Sequence, residues 1–267
     1  MSLVRHVFCS SLGKKYIMAL TGLVLTGFVT GHLIGNLHVF SPPDEINGYA
    51  HFLQGLGPVL WVIRLALLGT LALHVWAMAE LTVENAQARP TGYDFKHTIQ
   101  ATLASRSMRW TGCIVGAFVL YHLAHFTIGV KGAFFQSATF KGNLPEVMLG
   151  EDFRLFGFTL VRAGTMVKDV HSMIVLGFQS PCVSIFYIVA TGLLSFHLWH
   201  GFESAFQSLG LRTSTWGCFL RGVTRVFAVL YFLGSLAIPG AVLAGVIQPQ
   251  NGAPAPVACT HCSSVTK

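Results

Sequence analysis

The chain has 267 residues, 53% of them hydrophobic and only 10% charged, with a mean hydropathy of +0.62. An ordinary soluble domain carries roughly 25% charged residues, so this composition excludes a soluble globular enzyme and predicts an integral membrane protein. The formal net charge of +7 does not gather into a basic stripe; it predicts no nucleic-acid partner and reads as a topology signal, with membrane lipid as the immediate surroundings.

Residues 1–15 form a short lead-in with a surface helix, closed by Lys14 and Lys15. Uncharged runs follow from Tyr16 to Pro43, Trp110 to Val130, Val170 to Phe202 and Val226 to Thr266, while Ile46 to Ala79 carries only Arg64. Since a spanning helix needs about 20 mainly apolar residues, these runs predict five spans, over 16–40, 58–82, 109–131, 181–206 and 222–246. The first resembles a signal peptide in its basic start, but its uncharged run is too long and no A-x-A-like cleavage site follows, so it is expected to be retained. Between spans, Ser41 to Gly48 predicts an external turn, and Tyr49 to Leu56 a short interfacial helix. Arg89-Pro90-Thr91-Gly92 predicts a cytoplasmic loop. Residues 131–169 are the sizeable extramembrane segment, and Val167 to Gln179 is expected to lie along the surface as an amphipathic helix. One membrane domain, 16–247, precedes a tail at 248–267 with Pro249, Pro254 and Pro256. Cys259 and Cys262 form C-x-x-C there, but Ser263 stands where c-type haem attachment needs histidine.

The cations order the spans. Arg5, Lys14 and Lys15 lie before the first, Arg89, Lys96, Arg106 and Arg109 around the second-to-third connection, and Arg212, Arg221 and Arg225 around the fourth-to-fifth. The positive-inside rule then puts the amino terminus in the cytoplasm and the carboxyl terminus outside. The external third-to-fourth connection carries Lys131, Lys141, Arg154, Arg162 and Lys168, diluted by Glu146, Glu151, Asp152 and Asp169.

Two stretches then rhyme. Thr21-Gly22 and Thr111-Gly112 are each followed by nine residues and a histidine, His32 and His122, with Phe28-Val29 and Phe118-Val119 at the same offset. A weaker rhyme pairs Gly69, Leu71, His74 and Trp76 with Gly192, Leu194, His197 and Trp199. Histidine within a span is costly enough to suggest function, although it also serves as hydrogen-bond glue between helices. A haem held by two histidines needs both imidazoles at one depth on facing helices. Counted at about 1.5 Å per residue, His32 and His122 lie roughly 25 and 20 Å from the cytoplasmic edge, His74 and His197 about 15 Å. The reading is an all-α membrane protein whose first four spans surround two b-type haems, an outer one on His32 and His122 and an inner one on His74 and His197. The many glycines of the first span, Gly22, Gly27, Gly31 and Gly35, would give a flat cofactor room. His125 and His200, three residues after a proposed ligand, compete for the same role, whereas the repeats favour His122 and His197. Arg64, near the outer face, is a candidate for a haem propionate or a quinone, with snorkelling to the interface as the plain alternative.

The residues Gly31-His32-Leu33-Ile34-Gly35-Asn36, Asn47-Gly48-Tyr49-Ala50-His51-Phe52 and Phe186 to Gly210, through Phe196-His197-Leu198-Trp199-His200-Gly201, resemble the di-haem cytochrome b anchor of bacterial succinate:quinone oxidoreductases, the five-helix single-subunit type. The resemblance covers roughly residues 10–245 and implies a distal haem on His32 and His122 and a proximal haem on His74 and His197. It also implies a flavoprotein subunit that oxidises succinate, an iron–sulfur subunit docked on the cytoplasmic face, and a membrane quinone, menaquinone, as electron acceptor, in the bacterial cytoplasmic membrane. Consistent with this, the chain has neither a dinucleotide-binding glycine motif nor a ferredoxin-like cysteine array. His51, Gln54 and Arg64, with Asp44 and Glu45, are the polar candidates for the quinone site. Two other readings stay open: an anchor of another quinone-linked dehydrogenase, and a transporter with a histidine proton relay.

Overall fold

The computed structural model of the protein describes residues 3–89, 91, 102–128 and 145–250. Pro90, Gly92, Lys96, His97, Lys131, Lys141 and the tail with Cys259 and Cys262 lie outside the described residues. Helix dominates: α1 (Leu3–Cys9), α2 (Ser11–Leu37, continued by a 3-10 turn His38–Phe40), α3 (Pro43–Gly55), α4 (Pro58–Gln87), α5 (Leu103–His122, continued by a π-helical turn Leu123–Ile128), α6 (Val170–Phe178), α7 (Pro181–Ser208) and α8 (Gly217–Leu243). Four short strands lie between α5 and α6: β1 (Glu146–Met148), β2 (Phe153–Leu155), β3 (Phe158–Val161) and β4 (Met166–Lys168).

Among the described residues five helices, counted with their terminal turns, are long and apolar enough to cross a membrane: Ser11–Phe40, Pro58–Gln87, Leu103–Ile128, Pro181–Ser208 and Gly217–Leu243. At about 1.5 Å per residue each exceeds the ~30 Å hydrocarbon core. Val62, Leu65 and Leu68 on α4 are 61–67% exposed, which suits lipid rather than water. The chain is an all-α multi-pass membrane protein in its spans, as its composition predicts. The helices outlast the uncharged runs, beginning at Ser11, Leu103 and Gly217 rather than 16, 109 and 222, because backbone hydrogen bonding continues through polar residues once a helix has been nucleated.

The chain divides into two compact units. The first comprises Met1–Gly31, Pro58–Cys113 and Leu193–Tyr231. It is tied at one end by an ionic cluster between α2 and α4. The Lys14 ammonium, only 5% exposed, donates to Glu80 Oε2 at 2.7 Å and Glu84 Oε1 at 2.6 Å, and Ser11 Oγ donates to the other Glu84 oxygen at 2.7 Å. The lysine that marks the start of the first span and the glutamates that mark the end of the second therefore meet, as antiparallel neighbours should. Between α7 and α8, Arg212 Nε lies 3.2 Å from Glu203 Oε1, and the Trp216 indole N–H donates to the Leu211 carbonyl.

The second unit comprises His32–Gly57, Ile114–Gly192 and Phe232–Lys267. Here the structure corrects two expectations. Ser41 to Gly48 is not all turn: Pro43 opens α3, with Asp44 and Glu45 in its first turn. Proline at the first helical position needs no N–H there, and carboxylates suit a helix N-terminus. α6 is not an amphipathic surface helix, since His171, Ser172 and Ile174 through Phe178 are all buried. Asp169 caps α6 by accepting from Ser172 N, and Asn47 Oδ1, fully buried on α3, accepts from His171 N at 2.9 Å. These bonds satisfy backbone donors that an uncovered surface helix would leave to water.

β1 pairs antiparallel with β4 (Glu146 opposite Lys168), and β2 with β3 (Phe153 opposite Val161). Leu149, Phe153, Val161 and Val167 form a small core with Tyr49 and Phe52 of α3. The backbone at Gly48 lies so close to Phe153 that an added Cβ would stand 2.5 Å from the Phe153 Cβ. A larger core joins Val39, Ile46, Phe118, Val175, Phe178, Tyr187 and Ile238.

Candidate functional site

Each unit holds one histidine pair. In the first unit α4 carries His74 and α7 carries His197; their ring centroids are 6.4 Å apart with planes at 67°. In the second, α2 carries His32 and α5 carries His122, with centroids 5.7 Å apart and planes at 84°. A metal between two imidazole nitrogens, each at about 2.0–2.1 Å, puts the ring centroids about 6 Å apart. The two spacings fit that requirement.

The first pair is held by the Thr-Gly dipeptides. Thr21 Oγ1 lies 3.1 Å from His74 Nδ1, and Thr111 Oγ1 lies 3.3 Å from His197 Nδ1. Both hydroxyls also donate to carbonyls of their own helix: Thr21 to Ile17 O at 2.6 Å, Thr111 to Met108 O at 3.1 Å and Ser107 O at 3.2 Å. The adjoining glycines give room for the rings, since a Cβ on Gly22 would stand 3.3 Å from His74 Cε1 and one on Gly112 would stand 3.4 Å from His197 Cε1. Sequence reasoning took Thr-Gly as a marker of the histidine that follows it, whereas the dipeptide touches a histidine on a different helix. The signal was present, since the dipeptide recurs, but its partner is a tertiary contact.

The second pair sits among aromatics. Phe118 and Phe126 lie 5.9 and 5.8 Å from the His122 ring, and Tyr187 Oη is 3.4 Å from His122 Nδ1. The same hydroxyl is 2.9 Å from Nδ1 of His125, which is completely buried and packs on Phe126 at 4.2 Å. His125 lies in the π-helical turn, whose wider winding moves it off the azimuth that i, i+3 spacing on an α-helix would give. The ring facing His32 is therefore that of His122, and the ring facing His74 is that of His197. Tyr187 lies in the Phe186 to Gly210 stretch that carries the resemblance, but no role is assigned to it from sequence.

Of the quinone candidates, His51 and Gln54 come together in the second unit. They line a shallow groove of about 320 Å³ with Glu146, Met166 and Lys168. Asp44 is committed elsewhere, accepting from the backbone of Gly150 at 2.8 Å and Glu151 at 3.2 Å, and Glu45 stands 3.7 Å from His38. Arg64, in the first unit, lies over the ring of Trp61 at 5.1 Å and is exposed, a cation–π arrangement suited to an interface. Outside the spans, burial holds the His171 imidazole below its ordinary pKa, opposed by the Asp169 carboxylate.

Compared in turn with family models, with curated proteins and with solved structures, the chain matches none of them.

Proposed function

We propose that the protein is the di-haem cytochrome b anchor of a bacterial succinate:quinone oxidoreductase. In this reading it carries electrons from an iron–sulfur subunit on the cytoplasmic side to a membrane quinone, menaquinone, and a partner flavoprotein oxidises succinate. The observation that carries the haem part is the pair of histidine couples at 5.7 and 6.4 Å, each on two apolar spanning helices. Haem, when bound, supplies a one-electron carrier in apolar surroundings. His32 with His122, and His74 with His197, would be the axial ligands. Gly27, Gly31 and Gly69 support the reading, because a Cβ added there would meet nothing within 4 Å; no protein side chain explains the absence of theirs. The His51–Gln54 groove is the proposed quinone contact, and its hydrogen-bonding groups suit a ring with two carbonyl oxygens.

Reduced-minus-oxidised spectra and a haem count on the purified chain test this. A b-type signal with about two haems per chain is expected; its absence overturns the haem reading. Co-purified subunits decide the enzyme: a succinate-oxidising flavoprotein with an iron–sulfur protein supports the assignment, and a molybdenum or nickel subunit replaces it with another quinone-linked dehydrogenase. A proton relay is the second reading, favoured by the Tyr187 hydroxyl lying between His125 and His122. Proton-coupled transport by a haem-free chain in vesicles would establish it.

A further inference from the structure

We propose that Thr21 and Thr111 are positioning residues that fix the tautomer of His74 and His197, presenting both Nε2 lone pairs to the metal of one haem. The proposal rests on the haem reading above. A threonine hydroxyl has one proton. At 2.6 Å from the Ile17 carbonyl, which can only accept, the Thr21 proton is committed to the backbone, so the contact with His74 Nδ1 must be donated by the imidazole. Thr111, bonded to the Met108 and Ser107 carbonyls, directs His197 in the same way. An imidazole protonated on Nδ1 carries its lone pair on Nε2, the form a metal requires, and an outer partner accepting the N–H raises ligand basicity.

Three observations separate this role from ordinary helix packing. The arrangement occurs twice, from α2 to α4 and from α5 to α7. In each case the next residue is a glycine whose absent Cβ would lie 3.3–3.4 Å from the same ring, so the dipeptide meets both Nδ1 and Cε1 and restrains rotation of the ring. Finally, neither threonine needs the histidine to satisfy its hydroxyl. Thr26 and Thr30, on the same helix as Thr21, make the same bond to the carbonyl four residues back without a histidine. They are internal controls.

The experiment uses the full chain purified with its partner subunits. Haem content on washing and the two midpoint potentials are measured for wild type, Thr21→Val, Thr111→Val, Thr21→Ser and Thr30→Val, with His74→Ala and His32→Ala assigning each potential to its pair. Valine keeps the shape and removes the hydroxyl acceptor; at His74 the hydrogen bond to the Met18 backbone stays. The expected result is a loss of haem retention of roughly 10-fold or more at the His74–His197 site. Where haem stays, the potential of that site rises, because a less basic ligand stabilises the ferric form less; a tenfold change corresponds to about 59 mV for one electron. The potential of the His32–His122 site stays put, Thr21→Ser restores wild-type behaviour, and Thr30→Val has no effect. Two-haem wild type with valine variants that behave like Thr30→Val overturns this proposal alone. A wild-type chain without b-type absorbance overturns the haem reading and this proposal with it.

Discussion

The two histidine pairs look alike as ring geometry and differ in what holds them. His74 and His197 rest on hydroxyls and glycine backbone from neighbouring helices, a small polar seat repeated almost identically. The His122 ring of the other pair lies among Phe118, Phe126 and Tyr187, with the Tyr187 hydroxyl 3.4 Å from its Nδ1. In the di-haem reading proposed above, equal ligand sets need not make equal redox sites. A metal's potential depends on the groups behind its ligands; threonine hydroxyls and glycine backbone stand behind His74 and His197, whereas aromatic rings and the Tyr187 hydroxyl stand around His122.

The largest effect that could break the comparison is removal of a ligand. His122→Ala should abolish one haem and leave the other, read as half the wild-type haem count, while His125→Ala should leave both bound. The reverse outcome would move the ligand three residues along, from His122 to His125 in the π-helical turn. Bulk comes next. Gly22→Leu and Gly112→Leu push side-chain atoms into His74 and His197 and should empty that site while His32 and His122 keep theirs; Gly22→Ala, with a contact only slightly tight, should do far less.

The remaining tests address the second unit. Gly48→Ala drives a Cβ against Phe153 and should lower stability by about 1–3 kcal/mol, measured by thermal unfolding in detergent, with earlier loss of haem from the His32–His122 site. Tyr187→Phe removes the hydroxyl that lies 2.9 Å from His125 Nδ1 and 3.4 Å from His122 Nδ1, and should cost about 1 kcal/mol or a little more while shifting only the potential of the pair containing His122. Equal shifts at both sites would show that the two surroundings are not independent. The smallest effect is pH. The His171 imidazole titrates below its ordinary value in the folded protein, so as pH falls below about 6.5 the unfolded chain takes up the proton first and stability declines, by at most about 1.4 kcal/mol per pH unit. Above that pH the contribution is flat, and His171→Asn should make the slope shallower.

How much of this was legible in the sequence follows from the range of the forces involved. The spans could be read because transfer of about 20 apolar residues into lipid is a local property of a segment. Their ends could not, since a helix continues through Ser11 to Lys15 or Leu103 to Arg109 once its core has formed. The start of α3 is hidden because Pro42-Pro43 has the composition of a turn, although the second proline is a helix starter. The burial of α6 is not legible in its own sequence because the packing of α3 against it, and the Asn47 side-chain carbonyl that receives its N-terminus, come from residues distant in the chain.

At the site the division is the same. By itself the sequence determined that four histidines lie within apolar helices and that they repeat in pairs, because hydropathy and spacing are properties of the chain alone. Only the tertiary structure decided how close the paired rings come, that a π-helical turn carries His125 to Tyr187, and that Thr21-Gly22 and Thr111-Gly112 serve histidines on other helices. The physical reason is reach. A hydrogen bond or a 3.3 Å contact depends on the azimuth of two helices at once, and the sequence of either helix specifies only its own.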